Sequence, residues 1–175
     1  LKKIASAARM DIEELLGVAP FKKDVVSAKD EVGIVRGLAW TRVGGDTLEI
    51  EVNVMPGKGN MVLTGNLGNV MKESAQAGLS FIRANAELYH IDAEKFQNTD
   101  IHIHIPEGAV PKDGPSAGIT MATAMLSALT GRKIYANLAM TGEITLRGRV
   151  LPIGGLKEKL LAAKMAGITK VLVPL

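Results

Sequence analysis

Leu48-Glu49-Ile50-Glu51-Val52-Asn53-Val54 alternates aliphatic and polar residues without a break. Successive side chains of an extended chain point to opposite faces. Leu48, Ile50, Val52 and Val54 therefore share one face, and Glu49, Glu51 and Asn53 share the other, which marks a strand with one buried side. Working upstream, Val32, Ile34, Val35 and residues 38–41 suggest a first strand, with Gly44-Gly45-Asp46 as the turn between the two. Downstream, Pro56-Gly57 ends the run, and 61–64 is expected to pair back as a short strand. Ile101, Ile103 and Ile105, alternating with His102 and His104, make another strand.

Between these strands lies helical spacing. Met71, Ala75, Leu79, Ile82 and Ala86 recur at steps of three and four and form one apolar stripe, which predicts a helix over 69–88. Residues 115–129 are apolar almost all round, as in a helix buried on most sides, and Gly131 suits its C-terminal stop. Strand signals at 138–145 and 150–151 flank Arg147-Gly148 as a hairpin turn. A last helix is expected over 155–166 and a last strand over 170–173. Strands and helices mixed with hairpins predict an α/β (α+β) fold, a single compact domain with a mixed sheet and flanking helices. The domain is expected over 31–175. Residues 1–30 read as a linker or the tail of a preceding helical domain, with a short helix at 10–16 stopped by Gly17 and Pro20.

The 175 residues are 47% hydrophobic and 22% charged, enough for one real core. Net charge is only +3 and aromatic residues are 3%, so nucleic-acid binding is not indicated. The absence of cysteine excludes disulfides, thiol catalysis and thiolate metal sites. No apolar run approaches the roughly 18 residues of a membrane span, and the first ten residues lack a signal-peptide pattern. A start without methionine and a stop at Val173-Pro174-Leu175 suggest part of a longer protein.

Gly114-Pro115-Ser116-Ala117-Gly118 fits the G-x-S-x-G pattern of a nucleophilic serine. Pro115 suits the first position of a helix, which puts Ser116 in the first turn. Unpaired N–H groups and the positive end of the helix dipole gather there and can hold an oxyanion. Gly114 and Gly118 are expected to leave room for substrate. The same position also suits simple capping of a buried helix, or a bound phosphate paired with Lys112.

No histidine follows Ser116. The order Ser, acid, His therefore fails. A His-Asp-Ser order could use His102 or His104 with Asp113, but Asp113 lies three residues from Ser116 and both histidines share a strand face. His102 and His104 with His90 are a metal option, without an H-E-x-x-H motif; no metal is expected. A lysine base must be near its serine and partly desolvated. In the last helix Lys157 and Lys164 fall on nearly the same side, as a solvated stripe. Lys159 points elsewhere, among Leu156, Ala162, Ala163 and Ala166, either as a base or as a stem covering apolar surface. Thr141 can accept a hydrogen bond from it, or simply pack in its strand. Trp40, the one tryptophan, and Pro115 are placed at a substrate pocket, with burial in the core the favoured reading for Trp40.

Three runs carry a resemblance: 111–118 (Pro-Lys-Asp-Gly-Pro-Ser-Ala-Gly), 140–148 (Met-Thr-Gly-Glu-Ile-Thr-Leu-Arg-Gly) and 151–159 (Leu-Pro-Ile-Gly-Gly-Leu-Lys-Glu-Lys). Across 31–175 the chain resembles the proteolytic domain of Lon, the bacterial-type ATP-dependent AAA+ serine protease. The resemblance implies a serine endopeptidase with Ser116 as nucleophile, Lys159 as base and Thr141 supporting it. It also implies that Asp113 controls the loop before the nucleophile. Residues 1–30 resemble the end of the small helical AAA+ subdomain, and the family's final helices would follow Leu175. ATP and Mg are then expected only for an AAA+ domain outside this sequence. Gly57-Lys58-Gly59 is not a phosphate-binding loop, and no cofactor or ATPase activity is expected here. The implied partners are unfolded or damaged proteins, the ATPase domain of the same chain and a homo-hexamer. The implied location is the bacterial cytoplasm rather than a mitochondrial matrix. A phosphate- or nucleotide-binding module without hydrolytic chemistry is the alternative function.

Overall fold

The computed structural model describes residues 29–41 and 44–175. The helix expected at 10–16, and all but the last two residues of the expected tail, lie outside the described residues.

The alternating run forms the middle of the molecule. Strand β1 (Glu31–Val32) leads through Gly33 into β2 (Ile34–Thr41), which pairs antiparallel with β3 (Gly44–Pro56) in a register that sets Val35 opposite Ile50. Strand β4 (Met61–Thr64) is followed by helix α1 (Asn69–Ala84), the short helix α2 (Lys95–Asn98) and strand β5 (Thr99–His104). A 3₁₀ turn (Pro115–Ala117) opens helix α3 (Gly118–Thr130). Strands β6 (Lys133–Ile134), β7 (Leu138–Met140), β8 (Glu143–Ile144) and β9 (Val150–Leu151) precede helix α4 (Leu156–Met165) and strand β10 (Lys170–Leu172). The main sheet is mixed, in the order β10-β7-β2-β3-β5-β4, and β1–β6 and β8–β9 are separate two-stranded pairs.

Each face of the sheet is covered. Val35, Ile50, Val52, Ile101 and Ile103 are buried with Met71, Ala75 and Ile82 of α1 and Met121 and Met125 of α3. Each Val, Ile or Met among these contributes about 1.5–3 kcal/mol on leaving water. Leu38 and Ala139 on the other face pack with Ala163 of α4 and Ile168. Helix α3 is apolar nearly all round because it is buried along most of its length. It stops at Gly131, whose left-handed φ of 70° a residue with a side chain rarely takes.

Several boundaries differ from the sequence expectation. Gly44-Gly45-Asp46 is not a turn: it pairs with 39–41 inside the hairpin. A Cβ on Gly45 would lie 2.0 Å from the Glu158 carbonyl oxygen, so that glycine lets α4 approach the strand. Strand β4 does not pair back on β3. Strand β5 takes that edge, and β4 pairs parallel beyond it. Helix α1 ends at Ala84 rather than near 88, because Asn85 turns its side-chain amide onto the Phe81 carbonyl (2.8 Å). The stretch 138–145 breaks after Met140, where Gly142 bonds away from the sheet: its N–H donates to Ser116 O and its carbonyl accepts from Ile119 N.

Candidate active site

A cavity of about 420 Å³ opens between the 106–117 loop and the N-terminus of α4. Ser116, Lys159, Asp113, Pro115 and Trp40 all line it. Thr141 and Gly114 adjoin it through hydrogen bonds, so the chain brings together the residues singled out from its sequence.

Ser116 is half-buried on the 3₁₀ turn. The turn is held from several sides. Ser116 O accepts from Gly142 N (2.8 Å) and from Thr141 Oγ1 (3.3 Å), and Pro115 O accepts from Ser74 Oγ (3.3 Å). Among the described residues, neither the N–H nor the Oγ of Ser116 has a hydrogen-bond partner. Ser116 therefore lines the cavity with a donor and a hydroxyl that no described residue engages.

Lys159 is 2% exposed. Its Nζ donates to Thr141 Oγ1 at 3.2 Å. A hydroxyl has one proton and two lone pairs. Thr141 spends its proton on Ser116 O, so a lone pair is left for Lys159. Burial in apolar surroundings holds the Lys159 amine below the ordinary lysine range, because the charged form loses its water. Lys159 also occupies the first turns of α4, where the helix dipole disfavours added positive charge. Of the residues placed on its face, Ala163 is buried beside it and Leu156 is exposed; Lys157 and Lys164 are exposed, as their stripe predicted. The direct Ser116–Lys159 hydrogen bond expected of a dyad is not formed in this arrangement. The two residues meet through Thr141 instead.

Asp113 does not reach Ser116. Its Oδ1 accepts from Met71 N (3.0 Å) and Gly114 N (2.8 Å). Helix α1 has no side-chain cap of its own at Gly68, and Asp113 supplies one from a distant part of the chain. A Cβ on Gly68 would strike that carboxylate at 2.2 Å. Gly114 has a φ of 112°, which explains the glycine. Gly118 serves packing rather than substrate access: a Cβ there would meet Ile144 N at 3.0 Å and Ser74 Oγ at 3.2 Å. Trp40 is 60% exposed, which overturns the core option, and its ring lies against the bare α-carbon of Gly155.

The competing site readings lose their residues. His102 Nε2 and His104 Nδ1 both bond to Thr64 Oγ1 (2.9 and 2.7 Å), not to Ser116. Among the described residues no group of three or more His, Cys, Asp or Glu side chains converges on a metal position. Lys112 is 7% exposed with its amine turned onto backbone carbonyls, so it cannot face a phosphate at the helix start. Ser74 and Gly142 went unrecognised in the sequence. A polar Ser74 on the apolar stripe of α1 was the one available signal; the role of Gly142 had none.

Residues 6–175 match the sequence profile described as the Lon protease (S16) C-terminal proteolytic domain. The chain belongs to this family. The Lon protease of Lachnoclostridium phytofermentans is 70% identical over 164 residues, which are 94% of this chain and 20% of the relative. The Lon protease of Clostridioides difficile is 63% identical over 166 residues, 95% of this chain and 21% of the relative. The Lon protease of Brevibacillus choshinensis is 57% identical over 173 residues, 99% and 22%. The chain spans about a fifth of the length of these relatives. As a Lon family member it is a serine-type proteolytic domain with a mixed α/β fold. Among the described residues no helix is long and apolar enough to cross a membrane.

Proposed function

We propose that Ser116 is the nucleophile and Lys159 the general base of peptide-bond hydrolysis in this Lon domain. One observation carries the assignment: a buried amine, with one hydroxyl acceptor among the described residues, lines the same cavity as a serine hydroxyl with no partner among them. Neutral Lys159 takes the Ser116 proton, and Oγ attacks the peptide carbonyl carbon. The Ser116 N–H faces the oxygen that becomes negative. The Lys159 ammonium then gives its proton to the departing amine, leaving an acyl-serine. Water, deprotonated by Lys159, releases the acid and restores the hydroxyl. Thr141 aims the base and anchors the nucleophile's turn. Nucleophile–base contacts are often long without substrate and tighten around it. A closing of Ser116 onto Lys159 as peptide enters is part of the proposal.

The longer protein is proposed to feed unfolded or damaged proteins to this site with an AAA+ ATPase of the same chain. ATP and Mg belong to that domain, and this segment works without a cofactor. A homo-hexamer in the bacterial cytoplasm is the expected setting.

The test is labelling with a serine-reactive fluorophosphonate together with peptide cleavage. Ser116 is expected to carry the label. Ser116→Ala and Lys159→Ala are each expected to lower cleavage by about a thousandfold or more. Inactivation by Lys157→Ala, with Lys159→Ala active, contradicts the assignment.

A further inference from the structure

Lys112 is buried, lines the cavity and has no part in the chemistry above. Its Nζ donates to Glu107 O at 2.6 Å, to Val110 O at 3.2 Å and to Gly65 O at 3.4 Å. The segment between Ile105 and Lys112 has little else to hold it. Among the described residues its backbone makes one hydrogen bond of its own, Val110 N to Glu107 O (3.0 Å). Pro106 and Pro111 have no N–H to give. Glu107 adopts a φ of 64°, rare for a residue with a Cβ, and its carbonyl is thereby turned onto the lysine amine. Glu107, Val110 and Pro111 are also walls of the cavity.

The backbone of Lys112 is fixed at the same time. Its N–H donates to Asn66 O (3.1 Å) and its carbonyl accepts from Gly68 N (2.8 Å). Asp113 follows at once and caps α1 through Met71 N. Lys112 is thus the junction between a loosely bonded wall and a firmly bonded run that ends at Ser116.

We infer that Lys112 is a positioning residue for this hydrolysis. Its amine is a strut that holds the 107–111 wall against the Gly65 turn and so fixes the mouth of the cavity beside the nucleophile. A compact amine with donors in several directions fits three carbonyls in a cage; a planar guanidinium does not. The inference rests on the assignment of Ser116 as nucleophile.

The experiment compares Lys112→Met with wild type in the intact protein. Methionine keeps an unbranched stem and removes the donors. Three quantities are read: cleavage rate per serine titrated by fluorophosphonate, its pH profile, and amide hydrogen exchange over 105–114. Misplacement near 1 Å can cost on the order of a hundredfold. We expect kcat/KM per titrated serine to fall about ten- to a hundredfold and exchange to speed up over 107–111. Exchange in α1 and α3 and the pH midpoint should stay unchanged. Wild-type kcat/KM per titrated serine overturns the inference, as does a shifted pH midpoint, which would place Lys112 in the proton transfer itself. If Lys112→Met does not fold, Lys112→Arg is read in the same way; a drop of roughly tenfold supports the strut, and wild-type kcat/KM rejects it. Ser116→Ala separates the two levels. If it leaves cleavage intact, the nucleophile assignment fails. If it abolishes cleavage while the Lys112 variants behave as wild type, only the strut fails.

Discussion

Lys112 and Lys159 line the same cavity and are nearly equally buried, at 7% and 2% exposure, yet their amines meet different surroundings. Lys112 donates to three backbone carbonyls. Among the described residues Lys159 donates to one hydroxyl, and burial lowers its affinity for a proton. On the proposed roles, the number of acceptors separates a strut from a base. A lysine with every donor used holds a loop in place. One left short of acceptors gives up its proton at a lower pH than an ordinary lysine.

The contrast breaks most visibly at Lys159→Met. Cleavage is expected to fall by about a thousandfold or more, while the melting temperature rises by about 2–4 °C, as for roughly 1 kcal/mol in a domain of this size. The rise follows from removing an amine that burial penalises when charged. The sign also sets a pH signature. The folded protein binds fewer protons than the unfolded one between the lowered Lys159 value and the ordinary lysine value. Stability contributed through this group therefore increases as pH climbs through that window and is lost below it. Thermal denaturation across pH should show that slope in wild type and a flatter one in Lys159→Met. An unchanged slope would mean that the amine does not titrate there.

A smaller effect belongs to Thr141→Val. It removes the acceptor of the Lys159 hydrogen bond and the donor to Ser116 O. Cleavage is expected to drop roughly tenfold, on the scale of about 1.4 kcal/mol per tenfold. The acidic limb of the rate profile should move to lower pH, because the ammonium loses the Thr141 oxygen as a partner. A limb moving upward contradicts the role given to Thr141. Asp113→Ala should cost about 1 kcal/mol in urea denaturation, the usual loss for a helix cap. Lys157→Ala, on the solvated side of the same helix, should change stability by no more than about 0.5 kcal/mol and leave cleavage nearly unchanged.

The sheet was readable wherever one face is buried. Leu48 to Val54 and Ile101 to Ile105 carry that asymmetry in alternating residues, and their strands formed where the alternation placed them. Glycine misled at 44–46, since a glycine needed for close approach of α4 looks the same in sequence as one needed for a turn. The partner of β4 was hidden because pairing order is decided by a strand some forty residues later. At the site, the glycine-flanked turn marked Ser116 and helical phase marked Lys159, and both line one cavity, whereas Thr141 on its own reads first as strand packing. Asp113 as a distant helix cap and Lys112 as a strut were not legible. Both act through backbone N–H and carbonyl groups, which every residue carries and no side-chain pattern records.

The most direct test is the rate at which a fluorophosphonate acylates Ser116 across pH, in wild type and in Lys159→Met. The wild-type rate should rise along an acidic limb with its midpoint below the ordinary lysine value, and Lys159→Met should lose both the limb and about a thousandfold in rate. A Lys159→Met protein that labels as fast as wild type, along the same limb, would contradict Lys159 as the base.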